Sequence, residues 1–377
     1  MLIPRQQKRK FLSEKGILIK TIEMFILEAG CIVDGEGDLS RTNRVRENLK
    51  RTASRVRKFD IASIKDGWNT PLPNHRLRCA CSPMTAIVEA RRLFSRQEAD
   101  AIIIYGKDHI KSAFRNKKAE RNQLMYLYGE NGHILSAYNR LTQAFLREWH
   151  ISPESFQLLA GDLFENHFRV WRGNHPAAER PEAKWFDPVS DLFRGVDCAN
   201  PSVDFEGCLI IGTREAAKRC GIAVQDCIRI AGCQVEQACE DTLESIPEIV
   251  PYRHLRVAFE KACKQAQVDF RKAFFSGKAL LEAYTCYPVV PLGFLLATGF
   301  VSSTDEIPGF LNQNPVTVTG GLNLAKAPWN NTTLYAFVKM AERLKSEDSP
   351  SIAGIHSVGA LGYKQAFTIL ENASPET

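Results

Sequence analysis

The chain has 377 residues, a formal net charge of +6, 44% hydrophobic residues and 24% charged residues. This is the composition of an ordinary globular protein, long enough for two domains or for one fold built from two similar halves. Because the sequence contains no run of about 18 apolar residues, it argues against a transmembrane helix.

The first sixteen residues form a basic tail that lacks the apolar core of a secretory signal. Eleven cysteines occur without a C-x-x-C pair, which is typical of buried, reduced thiols in a cytoplasmic protein and does not indicate a metal site. Basic clusters at 41–58 and 111–121 could meet nucleic acid, a membrane surface or a phosphate-rich ligand, or could be solvated helix faces. No RNA-binding aromatic motif or zinc finger supports a nucleic-acid partner.

The first part of the chain predicts a strand–helix–strand unit. Residues 17–30 have helical periodicity with a glycine stop, and residues 41–58 indicate helix and loop. Residues 77–94 predict a strand, a tight turn and an amphipathic helix, and residues 98–106 predict a buried strand. This order indicates the α/β class.

The remainder repeats the plan after an irregular segment. Residues 107–195 show mixed helix and loop without a clear strand. The elements predicted after it are strand 207–213 with a helix behind it, strand 227–235, helix 252–268, strand 278–288 running into a loop, strand 316–319, helix 331–345 and closing strands at 352–370. The apolar stretch 281–301 contains two prolines and two glycines, which favour buried strand and loop. Two copies of one pattern indicate a duplicated core, and no G-x-G-x-x-G follows a strand, which argues against a dinucleotide-binding fold.

Three segments in a fixed order carry a resemblance to a known family. They are FENHFRVWRGNHPAAER (164–180), DLFRGVDCANPSVDFEGCLIIGTREAAKR (191–219) and VTVTGGLNLAKAPWNN (316–331). From about residue 18 to 370 the chain resembles the thiolase superfamily, in its sterol-carrier-protein-X-type and acetyl-CoA-acetyltransferase-like branch. The reactive motifs of that branch are altered here.

The resemblance implies an α/β fold of five layers, α-β-α-β-α, made of two similar halves with an inserted loop domain. The implied division is a tail at 1–16, a first half at 17–213 with a loop domain at about 107–195, and a second half at 214–377. It also implies a homodimer formed through the first-half sheets. The family makes or breaks a C–C bond next to a thioester, with an acyl-CoA as substrate and no further cofactor.

The position of the family's nucleophilic cysteine aligns with Ala80, between Cys79 and Cys81. Either these flanking residues are ordinary buried residues, or a displaced thiol takes the nucleophile's place, with Cys81 ahead of Cys79. In the G-H-P motif the histidine position is Ala327, preceded by Lys326, which could supply charge or simply be a surface lysine.

Other reactive positions are partly retained. The segment YTCY (284–287) keeps the acid/base thiol as Cys286 and places Tyr284 where the branch has histidine. A phenol can donate a hydrogen bond but is a poor base near neutral pH. The segment HSVGALG places His356 at another family position, and Tyr363 after it resembles thiolase-like aldolases. We expect Cys286, His356 and Tyr284 to lie within a few ångströms of one another.

The resemblance places coenzyme A against the loop domain, with the Gly320-Gly321 loop close to the substrate. Candidate phosphate ligands are the basic residues Lys111, Arg115, Lys117, Lys118, Arg169 and Arg172.

Three functions follow as hypotheses. The first is an acyltransferase acting on a C–C bond next to a thioester; its alternative is a retro-aldol lyase that uses Tyr284 and no nucleophilic cysteine. The second is a non-catalytic subunit that supports an active partner, since this branch often works with a small zinc-ribbon/OB-fold protein. A nucleic-acid binder has only charge in its favour.

Overall fold

A computed structural model describes residues 22–52, 55–346 and 349–373, so the predicted basic tail lies outside the described residues. The strands are β1 Phe25–Val33, β2 Glu36–Gly37, β3 Val56–Ile61, β4 Arg76–Leu77, β5 Ala101–His109, β6 Asp204–Gly212, β7 Ile228–Gln237, β8 Ala279–Glu282, β9 Ile352–Gly359 and β10 Lys364–Asn372.

The α-helices are α1 Ser40–Thr52, α2 Ser82–Ser95, α3 Ile110–Ala113, α4 Lys118–Gln123, α5 Ile134–Glu148, α6 Pro153–Asn174, α7 Arg214–Arg219, α8 Ile246–Ile249, α9 Arg253–Ala266, α10 Phe270–Phe275, α11 Val289–Ala297, α12 Ile307–Gln313, α13 Gly321–Leu324 and α14 Thr332–Leu344. Short 3-10 turns lie at Ile64–Asp66, Ala183–Phe186, Gly195–Asp197, Val224–Asp226, Leu243–Ser245, Thr304–Glu306 and Trp329–Asn331. None of the described helices is long and apolar enough to span a membrane.

The strand order shows an internal duplication. The sheet runs β4-β3-β5-β6-β1-β7-β10-β9-β8. In the first half β3 is parallel to β5, while β6 is antiparallel to both β5 and β1. In the second half β8 is parallel to β9, while β10 is antiparallel to both β9 and β7. Each half therefore has the same order and the same strand directions.

The two halves pack around two central helices. Helix α2 contacts β5 and β7, and α14 contacts β6 and β9, so both helices touch strands of both halves. Helices α1 and α7 pack on the outer side of the first half, and α9 and α10 on the outer side of the second half. The strands of each half therefore form a β layer between the outer helices of that half and the shared central helices, which gives the predicted α-β-α-β-α arrangement. Both central helices are buried on several sides, through apolar side chains such as Met84, Ile87, Phe337 and Met340.

The insert is the long connection between β5 and β6. Residues 110–203 join these strands and contain α3 to α6, whereas residues 360–363 make the equivalent connection between β9 and β10. Helix α5 begins after His133, whose ring accepts a hydrogen bond from the Leu135 N–H, and α6 begins after the similar cap Ser152. The insert therefore covers one end of the first-half strands, where the candidate site lies.

Three predicted elements are wrong. The described part of 17–30 is not helical, because β1 begins at Phe25. Residues 316–319 are not a strand. The stretch 281–301 contains α11, whose residues are buried all round, in place of the expected strand and loop.

Candidate active site

A cavity of about 1000 Å³ opens between the insert and the loops that follow the strands of both halves. The insert contributes Lys111, Lys118, Arg121, Met125, Leu127, His133, Ile134, Leu135, Tyr138, Trp185 and Val189 among the lining residues. The two halves contribute Ala80, Tyr284, Cys286, Ala327, Trp329, Thr332, Val358 and Ala360. Most of this wall is apolar or aromatic, and the exposed lysines mark its open side.

Ala80 and Ala327, the two alanines that the sequence resemblance aligns with reactive positions, both line this cavity. Ala80 lies in a turn before α2, closed by a 3.0 Å hydrogen bond from the Ser82 N–H to the Cys79 carbonyl. Ala327 is fixed from the other side, because its N–H donates to the Asn200 carbonyl at 2.8 Å. At these two positions the cavity wall therefore presents methyl groups.

Cys286 lies in the loop after β8 and its thiol takes part in a short relay. Its Sγ donates to the Tyr138 hydroxyl at 3.1 Å, and that hydroxyl donates to the Ala360 carbonyl at 2.6 Å. Burial raises the pKa of Cys286 to about 12, although the hydrogen bond with Tyr138 opposes this shift. The group is therefore a protonated thiol at neutral pH and not a thiolate nucleophile.

Tyr284 lines the cavity beside it. Burial raises the pKa of its phenol well above the usual value, so the group stays protonated. Its hydroxyl oxygen accepts from Thr332 Oγ1 at 3.4 Å, which leaves its own proton for a ligand. The phenol can therefore act as a hydrogen-bond donor in a site shielded from water.

The expected trio is only partly assembled, because His356 does not line the cavity. Its Nδ1 accepts from the Tyr284 N–H at 3.4 Å, its Nε2 lies 2.7 Å from Gln365 Oε1, and its ring stacks on Phe294. Burial lowers its pKa to about 4, so the imidazole is neutral. His356 holds the backbone of Tyr284 and has no route to a substrate carbon.

Cys81 is also absent from the cavity wall, contrary to the displaced-nucleophile hypothesis. Its side chain is fully buried, and its Sγ lies 3.8 Å from the Lys364 carbonyl. The physical reason is the turn before α2. One residue of that turn, Ala80, faces the cavity, while the residues on either side of it face the β9–β10 hairpin.

The Gly320-Gly321 loop does not line the cavity, although Asn323, close to it in sequence, does. Both glycines have positive φ, 92° and 82°, and a Cβ at Gly321 would lie 2.9 Å from His167 Nδ1. The loop is held by the buried carboxylate of Glu282, which accepts from the N–H groups of Val318 and Thr319 at 2.7 and 3.1 Å. A side-chain carboxylate thus binds the backbone N–H groups of residues 318 and 319, which a neighbouring strand would bind in a sheet.

The predicted phosphate ligands lie in different places: two line the cavity, two border a separate groove, and Arg115 and Lys117 line neither. Lys111 and Lys118 line the cavity, together with Arg121 and Lys326, whereas Arg115 does not. Lys111 and Lys326 both pair with Asp34. Burial would raise the pKa of Asp34, but the hydrogen bonds from Lys326, from the Asp204 N–H and from Lys111 outweigh it and lower this pKa to about 2.

Arg169 and Arg172 border a separate surface groove with Glu165 and Arg180. The Arg169 guanidinium donates to the carbonyls of Leu311 and Asn312 at 2.9 and 2.8 Å, so it joins α6 to the end of α12. These two arginines therefore lie away from the cavity.

Several cavity residues carry no signal in the sequence. Tyr138 comes from α5, inside the amphipathic insert, and stacks on Tyr287 with ring centroids 4.1 Å apart. Trp185 and Trp329 line the wall from two 3-10 turns, Ala183–Phe186 and Trp329–Asn331. Only the aromatic richness of the insert could have pointed to Tyr138 and Trp185.

Comparison with known proteins gives a structural likeness only. No protein-family model and no curated protein matches the sequence. Among solved structures, the chain is similar to a monomeric SCP2-thiolase like protein type 1 (STLP1) from Mycobacterium smegmatis, with 15% identity and a TM-score of 0.66. The match covers 94% of this chain and 78% of that one. The fold is therefore thiolase-like, and identity at this level carries nothing beyond the fold.

Proposed function

We propose that the chain binds a coenzyme A thioester in the cavity and breaks the C–C bond next to its carbonyl as a retro-aldol lyase, without a covalent acyl-enzyme. The observation that carries the proposal is the pairing of a protonated phenol, Tyr284, with a protonated thiol, Cys286, on a wall where Ala80 and Ala327 replace the nucleophile and the imidazole.

The chemistry needs proton transfer and charge stabilisation more than nucleophilic attack. In a β-hydroxyacyl thioester the hydroxyl loses its proton as the Cα–Cβ bond breaks, and the electron pair moves into a thioester enolate. Tyr284 would donate to the enolate oxygen, where negative charge develops. As the bond breaks, the hydroxyl proton would pass to the Cys286 sulfur while the thiol's own proton passes to the α-carbon, so that the thiol is regenerated and no net proton is consumed.

An acyltransferase is less well supported by the same wall. Acyl transfer needs a thiolate, and the cavity-lining thiols, Cys198 and Cys286, both have a pKa raised by burial to about 12. A supporting subunit without activity would need neither group, whereas here a protonated donor pair faces a largely apolar cavity.

The cations Lys111, Lys118 and Arg121 at the open side are suited to the phosphates of coenzyme A. Their binding contribution should weaken as ionic strength rises, since exposed charges are screened by salt. Arg169 and Arg172 lie in another groove and are not part of this proposal.

The test compares cleavage of a β-hydroxyacyl-CoA with adduct formation. The parent protein should release a shorter acyl-CoA and a carbonyl product, and its intact mass should show no acyl adduct. Tyr284→Phe should reduce kcat/KM by about 100-fold, as for the loss of one oxyanion donor. Cys286→Ala should reduce it by a similar factor of about 100 or more, as for the loss of a general acid.

Two matched substitutions outside the cavity serve as controls. Tyr335→Phe changes a half-buried phenol on α14, and Cys263→Ala changes a half-buried thiol on α9; both should retain the parent activity. An acyl adduct on Cys286 would favour the acyltransferase instead. Thioester binding without turnover, unchanged in all four variants, would favour the supporting subunit.

A further inference from the structure

Two cysteines that flank the cavity residue Ala80 lie together behind the cavity wall. Cys79 and Cys81 are 2% and 0% exposed. A Cβ built on Gly359 would lie 3.4 Å from Cys79 Sγ, and Cys81 Sγ lies 3.8 Å from the Lys364 carbonyl. Gly359 and Lys364 are partners across the β9–β10 hairpin, so both sulfurs pack against the same rung of that hairpin.

The backbone between the two cysteines is already folded into a turn. Cys79 has a φ of 85°, and its carbonyl accepts from both the N–H and the hydroxyl of Ser82, at 3.0 and 2.6 Å. The Cα atoms of two residues separated by a single residue in such a turn lie within about 7 Å of each other, because consecutive Cα atoms are about 3.8 Å apart. This is close to the separation that a disulfide spans.

Groups around Cys79 favour its ionised form. A hydrogen bond with the Cys81 thiol lowers the pKa of Cys79; burial opposes the shift, while the Lys364 ammonium and the Cys81 N–H at the start of α2 add to it. The Tyr363 hydroxyl also hydrogen-bonds to this sulfur, while the Asp241 carboxylate acts weakly in the opposite direction. Burial and the interaction with Cys79 raise the pKa of Cys81 well above its usual value.

This environment separates Cys79 from every other cysteine of the chain, all of which lie in the described residues. Burial raises the pKa of each of the others, which are Cys31, Cys198, Cys208, Cys220, Cys227, Cys233, Cys239, Cys263 and Cys286, as it does that of Cys81.

We propose that Cys79 and Cys81 form a redox-active dithiol that hydrogen peroxide converts into an intrachain disulfide. The Cys79 thiolate attacks one peroxide oxygen, the O–O bond breaks, and a sulfenic acid and hydroxide are formed; the hydroxide takes a proton to become water. The Cys81 sulfur then attacks the Cys79 sulfur, the S–O bond breaks, and a second water leaves with the Cys81 proton. The balance is two thiols and one peroxide to one disulfide and two waters.

The turn that carries the two cysteines borders the cavity. Ala80 lies between the two cysteines and lines the cavity, as does Ala360, the residue after Gly359. Hydrogen peroxide in the cavity would therefore meet the turn at Ala80, next to both cysteines. The site does not depend on the proposed lyase activity, because neither cysteine lines the cavity.

Tryptic digestion followed by mass spectrometry can detect the Cys79–Cys81 disulfide in one peptide. Cleavage after Arg78 and Arg91 releases both cysteines in a single peptide, CACSPMTAIVEAR, with no other cysteine in it. The folded full chain is treated with a small excess of peroxide, unfolded, alkylated and digested. We expect this peptide to appear unalkylated and two hydrogen atoms lighter, while peptides with Cys208 and Cys233 remain alkylated. The rate should exceed that of the other buried thiols by about tenfold, since thiolate fraction outweighs the loss of nucleophilicity.

Single variants check the order of steps. In Cys81→Ser, Cys79 should stop at a sulfenic acid that dimedone traps; in Cys79→Ser, Cys81 should stay a thiol. If the 79–91 peptide of the parent protein is alkylated at both cysteines while other cysteines are oxidised, the proposal is wrong, whether or not the variants fold. If peroxide abolishes lyase activity but this disulfide does not form, the dithiol proposal is still wrong. The loss of activity then concerns only the proposed function.

Discussion

Glu282 shows how one buried charged residue can organise a site that it never touches. Its carboxylate, 4% exposed at the end of β8, accepts from two backbone N–H groups and from Thr319 Oγ1 at 2.6 Å. These bonds favour the ionised form, but burial is the larger effect and raises the pKa of Glu282 to about 7. The residue is therefore half protonated near neutral pH.

The sign of its effect on stability follows from this shift. The folded-state pKa of about 7 lies above the unfolded value near 4.3, so the contribution of Glu282 is fully present below about pH 4 and is lost as the pH rises through about 7. Over that window the loss is on the order of 3 kcal/mol.

Glu282→Gln should therefore flatten the fall in the free energy of unfolding between pH 5 and 8, as measured by urea unfolding at several pH values. Glu342→Gln, an exposed carboxylate on α14, serves as the control and should keep the parent slope. If Glu282→Gln has the same slope as the parent protein, the Glu282 carboxylate does not titrate between pH 5 and 8.

Among elements, the Gly320-Gly321 loop and helix α12 make a matched pair for testing backbone strain. A Cβ at Gly321 would lie 2.9 Å from His167 Nδ1 and 3.3 Å from Thr285 Oγ1, at a φ of 82°. Gly309, in α12, has open space around it and an ordinary φ.

We expect Gly321→Ala to destabilise the protein by about 2 kcal/mol, because the left-handed backbone and the contact with His167 both oppose a methyl group. Gly309→Ala should be neutral or should stabilise by up to about 1 kcal/mol, as in an ordinary helix interior. Urea unfolding of both variants against the parent measures the difference. Equal stability of the two variants would mean that the loop adapts freely.

The elements also show what sequence patterns could and could not predict. The duplicated α/β plan and the central helices follow from periodicity, because α2 and α14 keep long amphipathic repeats. The strand β1 was mistaken for a helix because it lies inside the sheet between β6 and β7, is buried on both faces, and so shows no alternation. Residues 316–319 do alternate, but the N–H groups of Val318 and Thr319 bind the Glu282 carboxylate and not a strand, which no pattern of one segment can reveal.

The candidate site was foreseeable only where a motif lay close in sequence to the reacting positions. The alignment placed Ala80, Ala327, Tyr284 and Cys286 together, and the structure brings all four to one cavity. It could not show in which direction each residue of a turn points, and so it did not predict that Ala80 faces the cavity while Cys81 faces the β9–β10 hairpin. Tyr138 enters from an insert some 150 residues away from Cys286, and this contact exists only in the folded chain.

At the scale of the whole molecule, the edge of the first-half sheet bears on assembly. Strand β3 lies at this edge and, in the described residues, has an outer neighbour only at Asp60 and Ile61, through β4. The exposed side chains of Arg57 and Lys58 lie on the unpaired part. An open edge can accept a second strand, but charged side chains oppose such pairing.

The resemblance implies a homodimer formed through the first-half sheets, and we expect two copies of the chain to associate through this edge. The positive charges of two copies would then lie near each other, so association should strengthen as salt screens their repulsion. Light scattering across a micromolar concentration range, at low and high ionic strength, measures the mass.

The double substitution of Arg57 and Lys58 by serine should remove the salt dependence of association. Serine at Lys261 and Lys339, which are exposed or half-exposed on helices, should leave it unchanged. A monomer at every concentration and salt would exclude the dimer; the similar mycobacterial protein is itself described as monomeric. In that case the charges on β3 would be the reason why the edge stays unpaired.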